Sequence, residues 1–287
     1  MSSPTSIANG EVRVSPDRNL RLSIFEPGET RDDVATIVFI PGFKGFKDWG
    51  GWPWFCSLIC KAGFRVVSMN PTMCGVGPAL DEFDEPEKFS RQTLSHDLED
   101  LNALFQSEWI PAANPVVLLG HSRGGIVAAL GSAGEKNRSG SDAVVDLRGI
   151  ITLGTPHDLM RLSHDELDLW KKTGYREIVN ARTGEVLKQE ISVLEDYIAN
   201  TENYDPVRAL SSNGIPFLGI HGTEDPAVGA ESLDHLFAGC SHPLSRRELI
   251  EGAGHTFGMA HPHQGGHEHA ETAIALITDW LGEVIQR

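Results

Sequence analysis

The chain has 287 residues, with 24 Lys+Arg against 40 Asp+Glu and a formal charge of −16. Hydrophobic residues make up 40% and charged residues 22%, the balance of a globular protein with one large α/β domain or two small ones. So acidic a chain repels phosphate backbones and anionic lipid, so neither nucleic acid nor a membrane surface is an expected partner.

Residues 1–19 lack the basic-then-apolar pattern of a signal peptide, and no stretch approaches the ~20 apolar residues of a membrane span. Four cysteines (Cys56, Cys60, Cys74, Cys240) are too few and too scattered for a disulfide framework. A reduced, cytoplasmic protein is expected.

The first element is the β-branched run Val34 to Ile40, which ends at Pro41-Gly42 and reads as a buried strand. A helix over Trp54–Lys61 stops at Gly63 and leads into a strand over Phe64–Met69. Residues 88–106 place Leu94, Leu98, Leu101, Leu104 and Phe105 at helical spacing. Pro115 to Leu119 is a strand, followed by Gly120-His121-Ser122-Arg123-Gly124-Gly125 and a helix through Ile126–Leu130. Further strands are expected over Leu147–Leu153, Ile215–Ile220 and Glu248–Glu251, and a closing helix over Glu271–Gln286.

Strands alternating with helices define an α/β protein, its mostly parallel sheet covered by helices on both faces. The rhythm breaks between His157 and Ser212, where Leu167, Trp170, Leu187, Ile191, Leu194 and Ile198 have helical spacing and no strand stands out. Residues 157–212 are therefore expected to form a helical cap, inserted into a core built from residues 1–156 and 213–287.

Gly120 to Gly124 matches G-x-S-x-G in the context that gives the motif meaning, a strand running in and a helix starting at once. The turn lifts the Ser122 hydroxyl above the strand end, beside a helix N-terminus that favours a developing negative charge. A serine hydroxyl needs a base, and the base needs an orienting acid. On such a fold they follow in the order acid, then histidine, on later loops. Asp225 stands just past the strand ending at Ile220. Its short side chain before Pro226 suits an orienting role better than Glu224 does. The alternative is a carboxylate that only opens a turn. His255 follows Gly252-Ala253-Gly254 after the last strand, and is preferred as base over His261, His263, His267 and His269.

With Gly120–Gly124, Asp225 and His255 in place, the chain resembles the α/β-hydrolases. The segment Phe43-Lys-Gly-Phe-Lys-Asp-Trp-Gly50 is similar to bacterial dienelactone-hydrolase-like and serine-aminopeptidase-like members. That resemblance implies two backbone N–H donors for an oxyanion, at Phe43 and at Arg123. Many members carry His-Gly where this chain has Pro41-Gly42. True dienelactone hydrolases have a cysteine where Ser122 stands, so that particular activity is not expected.

Lys44, Trp49 and His121 are candidate pocket residues. The surrounding aromatics (Phe43, Phe46, Trp52, Trp54, Phe55) either line a pocket or pack a helix on the sheet. Lys44, Lys47 and Arg123 either welcome an anionic ester or pair with surface acids such as Asp48. Five histidines lie between 255 and 269, but no accompanying ligand pattern fixes a metal geometry, and no metal or cofactor is expected. The expected activity is hydrolysis of small or medium carboxylic esters of acyl or aryl type through an acyl-enzyme. An amidase or aminopeptidase-like activity, or a slow-turnover ligand receptor on the same fold, remains open.

Overall fold

The structure, a computed structural model, describes residues 6–28, 34–80, 82–112, 114–133, 145–180 and 183–285. Eight strands form one sheet in the order β1-β2-β4-β3-β5-β6-β9-β10. They are β1 (Ser6–Ser15), β2 (Arg18–Glu26), β3 (Thr36–Ile40), β4 (Arg65–Asn70), β5 (Val116–His121), β6 (Leu147–Leu153), β9 (Phe217–Gly222) and β10 (Arg246–Ile250). From β4 to β10 every neighbouring pair is parallel, while β1 and β2 add an antiparallel edge. This edge hairpin goes beyond the expected elements, although Leu20, Leu22 and Ile24 alternate at period two and are buried.

The central strands are buried on both faces, as their unbroken apolar runs require. Ile37, Phe39, Val117, Leu119 and Ile151 point to one face, under α1 (Trp52–Lys61) and α9 (Glu268–Ile285). Val38, Ile40, Leu118 and Ile150 point to the other. There they meet α3 (Leu94–Phe105), α4 (Arg123–Ala133), α7 (Pro206–Ser212) and α8 (Glu231–Phe237). Gln286, the expected last residue of the closing helix, lies outside the described residues.

Two expectations are corrected. The apolar positions from Leu94 to Phe105 do form one helix, α3, but residues 88–90 at the start of the expected range belong to a separate short helix, α2 (Pro86–Ser90). They separate because Thr93 opens a fresh helix, its side chain accepting from the His96 amide while the His96 ring accepts from the Thr93 amide. The inserted segment is not purely helical either. Between α5 (His164–Thr173) and α6 (Ile191–Ala199) it holds an antiparallel hairpin, β7 (Tyr175–Val179) and β8 (Val186–Glu190). Arg176, Ile178, Leu187 and Gln189 turn to its covered side while their neighbours face solvent. Leu187 thus belongs to a period of two, not to a helix. β8 rests on α2 and α6 on α3, whereas α7 packs on α4 and α8 with the core helices.

Candidate active site

Strand β5 delivers Ser122 to the carboxyl edge of the sheet, where α4 begins at the next residue. Ser122 has φ 52°, a left-handed conformation that costs an L-residue free energy and persists only where its surroundings hold it. What holds it is backbone: the Ser122 amide donates to the Leu153 carbonyl at 2.8 Å, and the Gly125 amide donates to the Ser122 carbonyl at 2.9 Å. Gly124 lies so close to strand β3 that a Cβ there would overlap the Ile40 carbonyl. The glycine of the motif is therefore a packing requirement.

Asp225 sits on the loop after β9 and His255 on the loop after β10. The Nδ1–H of His255 donates to Asp225 Oδ2 at 2.8 Å, which leaves the Nε2 lone pair free to take a proton. The other carboxylate oxygen accepts the amides of Ala227 (2.8 Å) and Val228 (2.9 Å). Burial opposes ionisation of Asp225. Hydrogen bonds from His221 and His255, the His255 charge and the Val228 amide outweigh it and hold the carboxyl well below the usual carboxylate range. Gly154, at the end of β6, leaves room for the pair: a Cβ there would stand 3.2 Å from Asp225 Oδ2 and 3.3 Å from His255 Nδ1. Among the described residues the Ser122 hydroxyl makes no hydrogen bond. The relay is thus closed between histidine and carboxylate and open toward the serine.

His121 is buried, and its Nε2 lies 2.9 Å from the His255 carbonyl. A carbonyl only accepts, so Nε2 carries the proton and the ring anchors the backbone of the candidate base. Burial, then the His255 charge, push the His121 pKa down to about 3, so the ring is neutral. His221 is likewise buried, its Nε2 3.0 Å from the Val228 carbonyl and 3.4 Å from Asp225 Oδ2. Sequence reasoning missed His221 and Gly154. The signal for His221 was its place at the buried end of a strand, four residues before the acid.

The Phe43 and Arg123 amides, the two expected oxyanion donors, have no hydrogen-bond acceptor among the described residues. Two cavities meet at Phe43. The first, about 360 Å³, runs from Ser122 and Arg123 beneath the inserted segment to Trp170, Arg176 and Gln189. The second, about 320 Å³, opens on the His255 side and is walled by Phe46, Trp49, Trp52 and Phe83. Lys44, Trp49 and His121 all line this second cavity. The Arg123 side chain is paired with a buried acid rather than a surface one, its Nη2 2.7 Å from Asp97 Oδ2. Lys47 is buried against Asp48 (2.6 Å) and Ser23.

In the histidine-rich loop, His261 accepts the Gly50 amide and stacks on Trp49, while His263 lies against the Trp54 ring. Among the described residues no group of three or more His, Cys, Asp or Glu side chains is placed to hold a metal ion.

A parallel sheet with a serine on a strained strand-to-helix turn, and an Asp–His pair on two later loops, is the architecture of an α/β-hydrolase. The family model of the alpha/beta hydrolases matches residues 37–265, and the chain belongs to that family. A comparison with curated proteins found no match. Among solved structures, the chain is similar to Est1E from Butyrivibrio proteoclasticus with ferulic acid bound (TM-score 0.72, 17% identity, covering 97% of this chain and 100% of that one). It is also similar to alpha/beta hydrolase domain-containing protein 10 from mouse (TM-score 0.69, 16% identity, 98% and 99% covered). A third similar structure is a dienelactone hydrolase from Anabaena variabilis (TM-score 0.60, 14% identity, 98% of each chain). At these identities the likeness is one of fold.

Proposed function

We propose that this protein is a serine hydrolase that cleaves carboxylic esters, with Ser122 as nucleophile, His255 as general base and Asp225 as its orienting acid. The observation that carries the reading is the 2.8 Å His255–Asp225 hydrogen bond on the two loops flanking Ser122. It fixes the imidazole in the tautomer whose Nε2 accepts a proton from a serine. Ser122 Oγ attacks the ester carbonyl as His255 takes its proton, and the Phe43 and Arg123 amides stabilise the oxyanion by roughly 3 kcal/mol each. His255 then returns the proton to the leaving alkoxide, and water, deprotonated by His255, releases the acid from Ser122.

This proton path assigns the cavities. The leaving oxygen must face His255, so the alcohol lies in the aromatic cavity that His255 lines, and the acyl chain lies beneath the inserted segment. An aminopeptidase-like reading calls for a free carboxylate to hold an amino terminus. The carboxylate lining the acyl cavity, Asp196, already accepts from the Ser95 and Tyr204 hydroxyls. A cytoplasmic location is part of the proposal, supported by four unbridged cysteines.

Turnover of 4-nitrophenyl esters of graded acyl length tests the reading. The wild type is expected to release 4-nitrophenol, and Ser122→Ala to lose at least about 10³-fold in kcat with its fold unchanged. Undiminished turnover in Ser122→Ala would refute the assignment.

A further inference from the structure

Three arginines line the acyl cavity of a chain whose net charge is −16. Arg123 is neutralised by Asp97. Arg176, on β7, is not: its Nε donates to Gln189 Oε1 at 2.7 Å and its Nη2 bonds the same oxygen, a neutral acceptor. Nη1 meets no acceptor, and no carboxylate pairs with the guanidinium among the described residues. The group lies 4.3 Å above the Trp170 ring, and the Trp170 Nε1 is itself buried without a partner. Arg161, at the rim, is anchored among the described residues by the Ala227 carbonyl.

The acids nearby are already engaged. Asp196 accepts the Ser95 and Tyr204 hydroxyls and the Leu94 and Ser95 amides at the start of α3. Glu166, which acts on Arg176 through space, is held by the amide and hydroxyl of Ser163. A partly buried guanidinium whose nearby acid, Glu166, acts only at a distance is open to a direct pair with an anion that reaches into the cavity. Leu159, Met160, Leu162 and Val193 give the wall an apolar stretch that suits a hydrocarbon chain between the reacting carbonyl and that charge.

We propose that the substrate's acyl chain ends in a carboxylate, and that Arg176, stacked on Trp170 and braced by Gln189, is the residue that selects it. The inference rests on the ester-hydrolase reading and deepens it. The substrates are half-esters of dicarboxylic acids, with the free carboxylate at the inserted segment and the ester at Ser122. Lys44 lines the alcohol cavity and does not substitute for Arg176.

The test compares mono-4-nitrophenyl adipate, 4-nitrophenyl heptanoate and 4-nitrophenyl 6-aminohexanoate, matched in length and ending in carboxylate, methyl and ammonium. In the wild type kcat/KM is expected to fall in that order, the first exceeding the second about tenfold or more. Arg176→Gln is expected to collapse the adipate-to-heptanoate ratio, and Arg176→Lys to keep part of it. Should Arg176→Gln fail to fold, the wild-type series decides alone. Heptanoate hydrolysed as well as adipate would overturn this inference and leave the esterase reading standing. If no ester turns over, the esterase reading fails, and calorimetry with adipate decides the anion site. Binding that Arg176→Gln abolishes would uphold the site, and absence of binding would overturn it.

Discussion

Asp225 and His121 hold fixed charge states on either side of His255. Asp225 stays ionised because its hydrogen bonds favour the charged form, and His121 stays neutral because burial disfavours it. Asp225→Asn keeps the shape of the side chain and removes the reason for His255 to carry its proton on Nδ1. A loss of about 10⁴-fold in kcat at pH 7 is expected, read by steady-state ester hydrolysis. Stability follows from the same shifts. Asp225 is depressed on folding, so its stabilisation is present above the unfolded value near 3.9 and lost as pH falls below it. His121 is also depressed, from about 6.5 in the unfolded chain to about 3, so the unfolded state binds the extra proton and stability declines as pH drops through that window. His121→Asn is therefore expected to flatten the dependence of Tm on pH between about 6.5 and 3. Parallel wild-type and variant profiles would contradict the assignment. The placement of Ser122, Asp225 and His255 at one edge of the sheet was legible in the sequence because each stands a few residues past a strand end. Gly154 acts through space on partners far along the chain and leaves no local pattern, whereas His221 meets Asp225 and Val228 four and seven residues on and offered only its buried place at a strand end.

At the scale of elements, the turn between β5 and α4 is the least forgiving segment. Gly124→Ala sets a methyl against the Ile40 and Pro41 carbonyls, and backbone atoms leave little room to relax. A destabilisation of about 3 kcal/mol is expected by denaturant unfolding, with larger loss of activity because Ser122 moves with the turn. The central strands and flanking helices were readable from uninterrupted apolar runs and from periodicity. The β7–β8 hairpin was not, because each strand is five residues long and its inward positions mix Arg176 and Gln189 with Ile178 and Leu187. Polar residues facing a cavity imitate surface residues in a sequence. Alternation across the pair, with Gly184 at φ 73° in the turn, was the available signal. Trp170, buried where α5 meets this hairpin, ties the cavity roof to the rest. Trp170→Ala is expected to blur discrimination among acyl chains, measured as kcat/KM across ester lengths, while Ser122 keeps its reactivity toward a small organophosphorus probe.

Over the whole molecule, the charge of −16 describes the solvent face and says little of the interior. Ser122 and His255 sit where the carboxyl ends of parallel strands meet two cavities of different character, one aromatic and one holding Arg176, which no carboxylate pairs directly among the described residues. Among the described residues no helix is long and apolar enough to cross a membrane. The sheet order sets Ser122 at the carboxyl end of β5, and from there the proposed chemistry runs. Everything proposed about substrate depends on that serine being an activated nucleophile. Reaction with a fluorophosphonate followed by peptide mass spectrometry tests this most directly. The account predicts one covalent adduct, on Ser122, formed in step with complete loss of ester turnover and slowed by Asp225→Asn. An unmodified Ser122, or full turnover by the labelled protein, would contradict it.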